Sequence, residues 1–266
     1  MECKVFSYSI TFELHTNVRH RIYFKNTREP FSITVAGQTI YILTSAKDVA
    51  SAWKFSAAIS MDPISEEMYT RVGISSKSRE SLFRSHPLAS YNAGNPHPLS
   101  PTEMVIRLHQ QQSHPGPRLD DLMEKLLLSI CKNLEFGNES HSAVLNRSTE
   151  GYSVSLLKLC IEVFIGGTTD AIFGAAIRTL QPELFKWFML WEHSNWKFLF
   201  QLPPVMSQDM LSAKRELIEM FARYCKLPAD MRRDSSYFIE ELEKILREVG
   251  LSDEEIGGFM ILHYWA

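Results

Sequence analysis

Residues 250–266 read GLSDEEIGGFMILHYWA, and this stretch decides how the chain is read. Ser252, followed three residues later by Glu255, forms a capping box, which opens a helix by pairing first-turn amides that have no partner within the helix. Gly250 stands just ahead, where the preceding helix should end. From Ile256 to Ala266 the residues are largely apolar, with no polar turn and no Gly or Pro stop. Left exposed, Phe259, Ile261, Leu262, Tyr264 and Trp265 would present a large apolar face with nothing to cover it. The expectation is therefore the front portion of a larger protein, cut within a helix.

Working outward, 266 residues suffice for one large or two small domains. The 45% apolar and 22% charged fractions are those of an ordinary globular chain. A net charge of −3 gives no electrostatic footprint for nucleic acid, so no nucleic-acid partner is expected. Cys3, Cys131, Cys160 and Cys225 form no CxxC pair, which leaves no zinc or redox motif. Cys131 in LLLSICKNL and Cys160 in LLKLCIEVF read as buried helix cysteines. The opening MECKVFSYSITFELHTNVRH has neither a long apolar core nor a small-residue cleavage site. No stretch reaches the roughly 18 apolar residues of a membrane span. As written, the chain is expected to be cytoplasmic, and the sequons at Asn138 and Asn146 to be chance matches.

Residues 31–43, FSITVAGQTIYIL, alternate around a Gly-containing turn and predict a β-hairpin. Ser45 and Asp48 then open a short helix from Ala46 to about Lys54. Six of the twelve prolines fall between Pro87 and Pro117, so 85–118 reads as a long loop or several short elements. Leu119–Leu134 returns to helix, with Leu122, Leu126, Ser129, Ile130 and Cys131 on one side. From residue 153 everything reads as helical. Val154–Ile177 is one long apolar helix, and Pro182 suits the first turn of a helix running to about Phe200. Met206–Tyr224 and Ser236–Val249 are amphipathic helices. The predicted class is mainly α with a small N-terminal hairpin, in which 1–28 is an irregular N-terminal segment and 29–266 a single partial domain.

Catalytic signatures are sparse: there is no HExxH, no GxSxG and no Walker loop. Gly166-Gly167-Thr168-Thr169-Asp170 looks like a phosphate cradle, yet no strand precedes it, and close helix packing is the better reading. His15 with His20, and His109 with His114, are five apart, whereas helical metal pairs want three or four. They read as solvated loop histidines. Phe185, Trp187, Phe188, Trp191, Trp196, Phe198 and Phe200 exceed what one core stripe needs. Core packing is the first reading, and an apolar-ligand lining or a membrane-touching surface the second. Consecutive His263, Tyr264 and Trp265 cannot all share one helix face.

Four segments in order resemble a known family. Residues 29–54, EPFSITVAGQTIYILTSAKDVASAWK, resemble the first strands and following helix of fungal cytochrome P-450 enzymes, in the group related to sterol 7α-hydroxylases and prostacyclin synthase. Residues 157–174, LKLCIEVFIGGTTDAIFG, resemble that group's helix with its TT-x-A-x-FG pattern. Residues 202–228, LPPVMSQDMLSAKRELIEMFARYCKLP, resemble its G-helix region. Residues 247–266, REVGLSDEEIGGFMILHYWA, resemble the opening of the long central helix, usually called I. The resemblance covers about residue 20 to 266 and implies the N-terminal half of a P-450 fold, ending within helix I.

The family's haem-ligating FxxGxxxCxG-like loop and its ExxR pair have no counterpart here, and none of the four cysteines matches. Its helix-C tryptophan–arginine pair has no clear match either, although Arg107 or Arg118 could supply the charge. The usual N-terminal membrane anchor is also missing. Haem-thiolate chemistry depends on the axial Cys pushing electron density onto iron. The resemblance therefore implies a haem-using parent that oxidises a sterol, terpenoid or fatty-acid type of substrate with O2 and a NADPH-dependent reductase, at the endoplasmic reticulum membrane. This chain alone is expected to hold no haem stably and to be inactive, with no catalytic residue assigned. Met260, His263 and Tyr264 are the implied neighbours of the substrate pocket, together with the aromatics of 185–200. The rival expectation is a non-catalytic α-helical binding or interaction protein that keeps an apolar groove, or a truncated gene product without function.

Overall fold

The structure is a computed structural model, in which residues 29–35, 38–55, 60–134, 143–148 and 151–265 are described. The irregular segment assigned to 1–28, with Cys3, His15 and His20, lies outside the described residues, as do the Ala36-Gly37 turn, Asn138, Ala266 and the Trp265 side chain. The protein is mainly helical with a small hairpin near its N-terminus. Among the described residues no helix is long and apolar enough to cross a membrane.

By contacts the chain divides into two compact units. The first takes residues up to Arg71 and Phe185–Glu216. Strand β1 (Phe31–Val35) pairs antiparallel with β2 (Gln38–Ile42), in the register Phe31↔Ile42 to Val35↔Gln38. Helix α1 (Ala46–Lys54) begins as the sequence predicts: the Ser45 hydroxyl oxygen accepts from the Asp48 amide at 3.1 Å and its O–H donates to the Asp48 carboxylate at 2.7 Å. No described residue of α1 is buried. Helix α2 (Asp62–Arg71) has no periodic signal in the sequence, because its apolar residues are few and do not form a stripe.

The aromatic helix α9 runs Leu184–Leu199. It starts two residues after Pro182, which lies in the turn ahead of the helix and not in its first turn. Trp191 is fully buried and meets Phe198 edge-on at 5.2 Å, and Phe188 is also buried, so core packing accounts for these three. Phe185, Trp187 and Trp196 are half-buried, and Phe200 is exposed. Arg71 donates to the Phe198 and Leu199 carbonyls at 2.9 and 3.2 Å, closing the end of α9. Lys214, on α10 (Gln208–Cys225), donates to the Arg71 carbonyl at 2.7 Å and closes α2.

The second unit holds Val72–Leu184 and Leu217–Tyr264. The Pro-rich stretch contains more helix than its punctuation suggests: α3 (Ser76–Phe83) precedes it, and α4 (Pro101–Ser113) ends it. The α4 start is a capping box, with the Glu103 carboxylate accepting from the Ser100 amide at 2.7 Å and Pro101 in the first turn. Helix α5 (Pro117–Asn133) buries Ser129 and half-buries Leu122, Leu126 and Ile130. Cys131 points outward instead of sharing that face.

Two expectations about the middle of the chain are corrected. A second hairpin, β3 (Val144–Ser148) with β4 (Gly151–Val154), stands where helix was expected to begin at residue 153. Its strands are short and mostly exposed, so they carry no apolar alternation. The single helix expected over Val154–Ile177 is segmented. It comprises α6 (Leu156–Cys160), a wide π-type stretch over Ile161–Ile165, α7 (Gly166–Phe173) and α8 (Ala175–Leu180). The break is Gly174, at φ +78°, a conformation that costs a side chain but not glycine. The Asp234 carboxylate accepts from the Ala175 amide at 2.8 Å and so caps α8 from far along the chain. Gly167 serves packing: a Cβ there would sit 3.2 Å from Ile130 Cγ1 on α5.

Helix α11 (Tyr237–Glu248), capped by Ser236, is strongly amphipathic and buries Phe238, Ile239, Leu242, Ile245 and Leu246. Helix α12 (Asp253–Trp265) is different. Ile256, Gly257, Gly258, Phe259, Met260 and Ile261 are all buried, so it is enclosed around its whole circumference. Two glycines permit this. A Cβ on Gly257 would lie 2.4 Å from the Ile218 carbonyl oxygen, and one on Gly258 would lie 2.7 Å from that of Val72. Each large apolar side chain so enclosed contributes roughly 1.5–3 kcal/mol.

Candidate functional site

Helix α12 carries the three side chains singled out in the sequence, and its start is firmly held. The Glu255 carboxylate accepts from the Ser252 amide at 2.9 Å and from the Ser75 amide at 3.0 Å. Burial pushes the Glu255 carboxyl up, but these amides and the Ser75 and Ser78 hydroxyls outweigh it and hold it down at about 2. Beyond the cap, Met260, His263 and Tyr264 turn toward different neighbours.

Met260 is fully buried, with its Sδ 3.7 Å from Cys225 Sγ on α10. Burial, and next the charge of Glu243, push the Cys225 thiol up to about 12. Glu243 is gripped by Arg232 and, at 2.8 Å, by Arg247, which also donates to the Cys225 carbonyl at 2.9 Å. A thiol in this setting is a neutral packing group.

Tyr264 is half-buried. Its ring lies edge-on to Phe173 on α7 at 5.7 Å and to Phe221 on α10 at 5.3 Å. Its hydroxyl is 2.9 Å from Thr169 Oγ1. Thr169 spends its own proton on the Ile165 carbonyl at 2.6 Å, so Tyr264 is the donor. Burial raises the Tyr264 hydroxyl to about 12. Beside it, Asp170 Oδ2 accepts from Ser129 at 2.8 Å and from Arg178 at 2.5 Å. These bonds join α5, α7 and α8.

His263 meets a residue that the sequence placed in a loop. His109 lies on α4, not in irregular chain, and its Nε2 is 3.4 Å from His263 Nδ1. Phe259 stacks on His263 with centroids 4.7 Å apart, and Phe238 of α11 lies 4.2 Å from the His109 ring. Burial, then the neighbouring His109, push His263 down to about 3, and burial lowers His109 also. Both are neutral imidazoles at pH 7, in a four-ring cluster built by three helices. The available signal was the Ser100–Glu103 box, which places 101–113 on a helix with Val105, Leu108 and Gln112 buried. The pairing with His263 is tertiary and has no local signal.

Among the described residues, the cysteines do not fit a thiolate-ligated haem. Cys225 is a buried neutral thiol packed against Met260, Cys131 is exposed on a helix, and Cys160 is half-buried at the end of α6. Burial that raises the Cys225 thiol and seals it from any ligand is the opposite of what an axial thiolate requires. Arg118 lies over the Tyr237 ring at 3.6 Å, and Arg107 is exposed on α4. Among the described residues no group of three or more His, Cys, Asp or Glu is placed to hold a metal ion. No family model matches the chain, no curated protein matches it in sequence, and no solved structure matches it.

Proposed function

We propose that the chain is the N-terminal, substrate-facing part of a haem-thiolate monooxygenase of the cytochrome P-450 type, which oxidises a lipophilic sterol, terpenoid or fatty-acid type of molecule. The four resembling segments supply the argument, and each falls on an ordered element. Residues 29–54 fall on β1, β2 and α1, residues 157–174 on α6 to α7, residues 202–228 on α10, and residues 247–266 on α12. The observation that carries most weight is the enclosure of α12 from Ile256 to Ile261, as expected of a central helix.

In this reading α12 is the helix that borders the substrate. Of its three candidate residues, Met260 is sealed within the packing, while His263 and Tyr264 are half-buried. Haem, an NADPH-dependent reductase and the endoplasmic reticulum membrane belong to the complete enzyme. The thiolate-bearing loop has no counterpart in residues 1–266. The polypeptide by itself therefore forms no thiolate-ligated haem and no active oxidase.

The test is to add haemin to the purified chain and record a reduced-CO difference spectrum, alone and after joining the chain to a haem-cysteine half from the proposed family. A thiolate-type Soret band in the joined protein only supports the reading. Such a band from the chain alone, or none in a well-folded joined protein, overturns it.

A further inference from the structure

We propose that His109 and His263 form a bis-imidazole site for a borderline divalent ion such as Zn2+, Ni2+ or Co2+, clamping α4 to α12. This inference stands apart from the monooxygenase reading, because it uses only nitrogen donors within one packed unit.

The geometry points to it first. His109 Nε2 and His263 Nδ1 are 3.4 Å apart. A tetrahedral ion with metal–nitrogen bonds of about 2.0–2.1 Å holds two of its nitrogens about 3.3–3.4 Å from each other. The two atoms thus already stand at the separation that one ion imposes. Their present link is a single long N–H···N hydrogen bond, in which one ring donates and the other accepts. An ion binds in place of that hydrogen bond: the donor ring's proton moves to its other nitrogen, so each ring ligates through an unprotonated nitrogen and no net proton is released.

The rings are also prepared for the role. Phe259 stacks on His263 at 4.7 Å and Phe238 backs His109 at 4.2 Å, so both rings are oriented before any ligand arrives. His109 is exposed, which leaves the remaining coordination positions to water. No third His, Cys, Asp or Glu joins the pair among the described residues. The site therefore prefers nitrogen-seeking ions over Ca2+ or Mg2+, which demand several oxygens.

The experiment titrates the full 266-residue chain with CoCl2 by visible absorption, then with NiCl2 by thermal melting, each reversed by EDTA. The proposal expects one equivalent of Co2+ with a d–d band, a rise in Tm with Ni2+, loss of both in His109→Ala, and retention of both in His114→Ala. An unchanged response in His109→Ala, or no response in the wild type, overturns it. A measurement on the wild type alone guards against a variant that fails to fold: diethyl pyrocarbonate modification mapped by mass spectrometry. Protection of His109 by Zn2+, with His114 still modified, supports the site. Equal modification of His109 with and without Zn2+ overturns it.

Discussion

Gly257 of α12 lies so near Ile218 of α10 that a Cβ on it would come within 2.4 Å of the Ile218 carbonyl oxygen. In an open helix, replacing glycine by alanine stabilises by up to about 1 kcal/mol. Here the sign reverses, because the obstacle is backbone and cannot swing aside. Gly257→Ala is expected to cost about 1–3 kcal/mol, the range for overpacking. Gly258→Ala, at 2.7 Å from the Val72 carbonyl, should cost nearly as much. Gly167→Ala, at 3.2 Å from a side-chain atom, Ile130 Cγ1, that need give by only a few tenths of an ångström, should cost least. Urea midpoints of the three variants check the order, and a stabilised Gly257→Ala would sink the account of how α12 is enclosed.

Stability should fall with acid in two distinguishable windows. His263 is held down at about 3 in the fold, against 6.5 when unfolded, so the unfolded chain takes up the proton first. Its contribution is complete above about pH 6.5 and is lost as pH falls from there toward 3. His109 is lowered in the same sense. Glu255, at about 2 against 4.5, contributes fully above pH 4.5 and loses that contribution between 4.5 and 2. Unfolding midpoints from pH 7 to 3 should show His263→Phe flattening the upper window and Glu255→Gln only the lower.

The cap on α8 comes from Asp234, whose carboxylate accepts from the Ala175 amide at 2.8 Å. Removing a capping oxygen costs about 0.5–2 kcal/mol. Asp234→Ala should lose about that much in denaturant melts, and Asp234→Asn, which keeps an acceptor oxygen, less. Equal losses would show that the charge and not the cap matters.

Tyr264→Phe removes the donor to Thr169 and leaves Thr169 paired with the Ile165 carbonyl. The expected cost is that of one hydrogen bond, about 0.5–1.5 kcal/mol. Thr169→Val removes the bond to Ile165 as well as the oxygen that faces the Tyr264 hydroxyl, so it should cost more. Calorimetry on the pair tests this.

Thiol labelling reports on whether the chain unfolds as a unit. Cys131 is exposed and Cys225 buried with its pKa raised to about 12. A thiol-specific reagent followed by mass spectrometry should mark Cys131 at once. Cys225 should react only across the main unfolding transition. Early reaction of Cys225 would show that the α10–α12 contact opens on its own.

What the sequence reveals and conceals follows the reach of each signal. The Ser45–Asp48 and Ser252–Glu255 boxes are local, and both helices start where those residues place them. The first hairpin is likewise legible, because alternation and a Gly turn lie within 13 residues. The break at Gly174 is concealed, since its cap arrives from Asp234, far downstream. The Ser100–Glu103 box is equally local, but the surrounding prolines mask it in the sequence of 85–118. In the candidate site, the residues on α12 could be named from sequence. Their partners Cys225, Thr169 and His109 could not, since only packing brings them together.

Arg71 offers its guanidinium to the last carbonyls of α9 while its own carbonyl receives Lys214. Two helix ends are thereby wired in series through one residue, like links sharing a pin. Burial lowers the Lys214 pKa, so its proton is held less firmly than that of a solvated lysine. Losing that proton would leave the amine as a weaker donor to α2, and the disturbance would pass through Arg71 to the far tip of α9. Fraying at either tip is then no longer a private event of one helix, and the two should loosen in step.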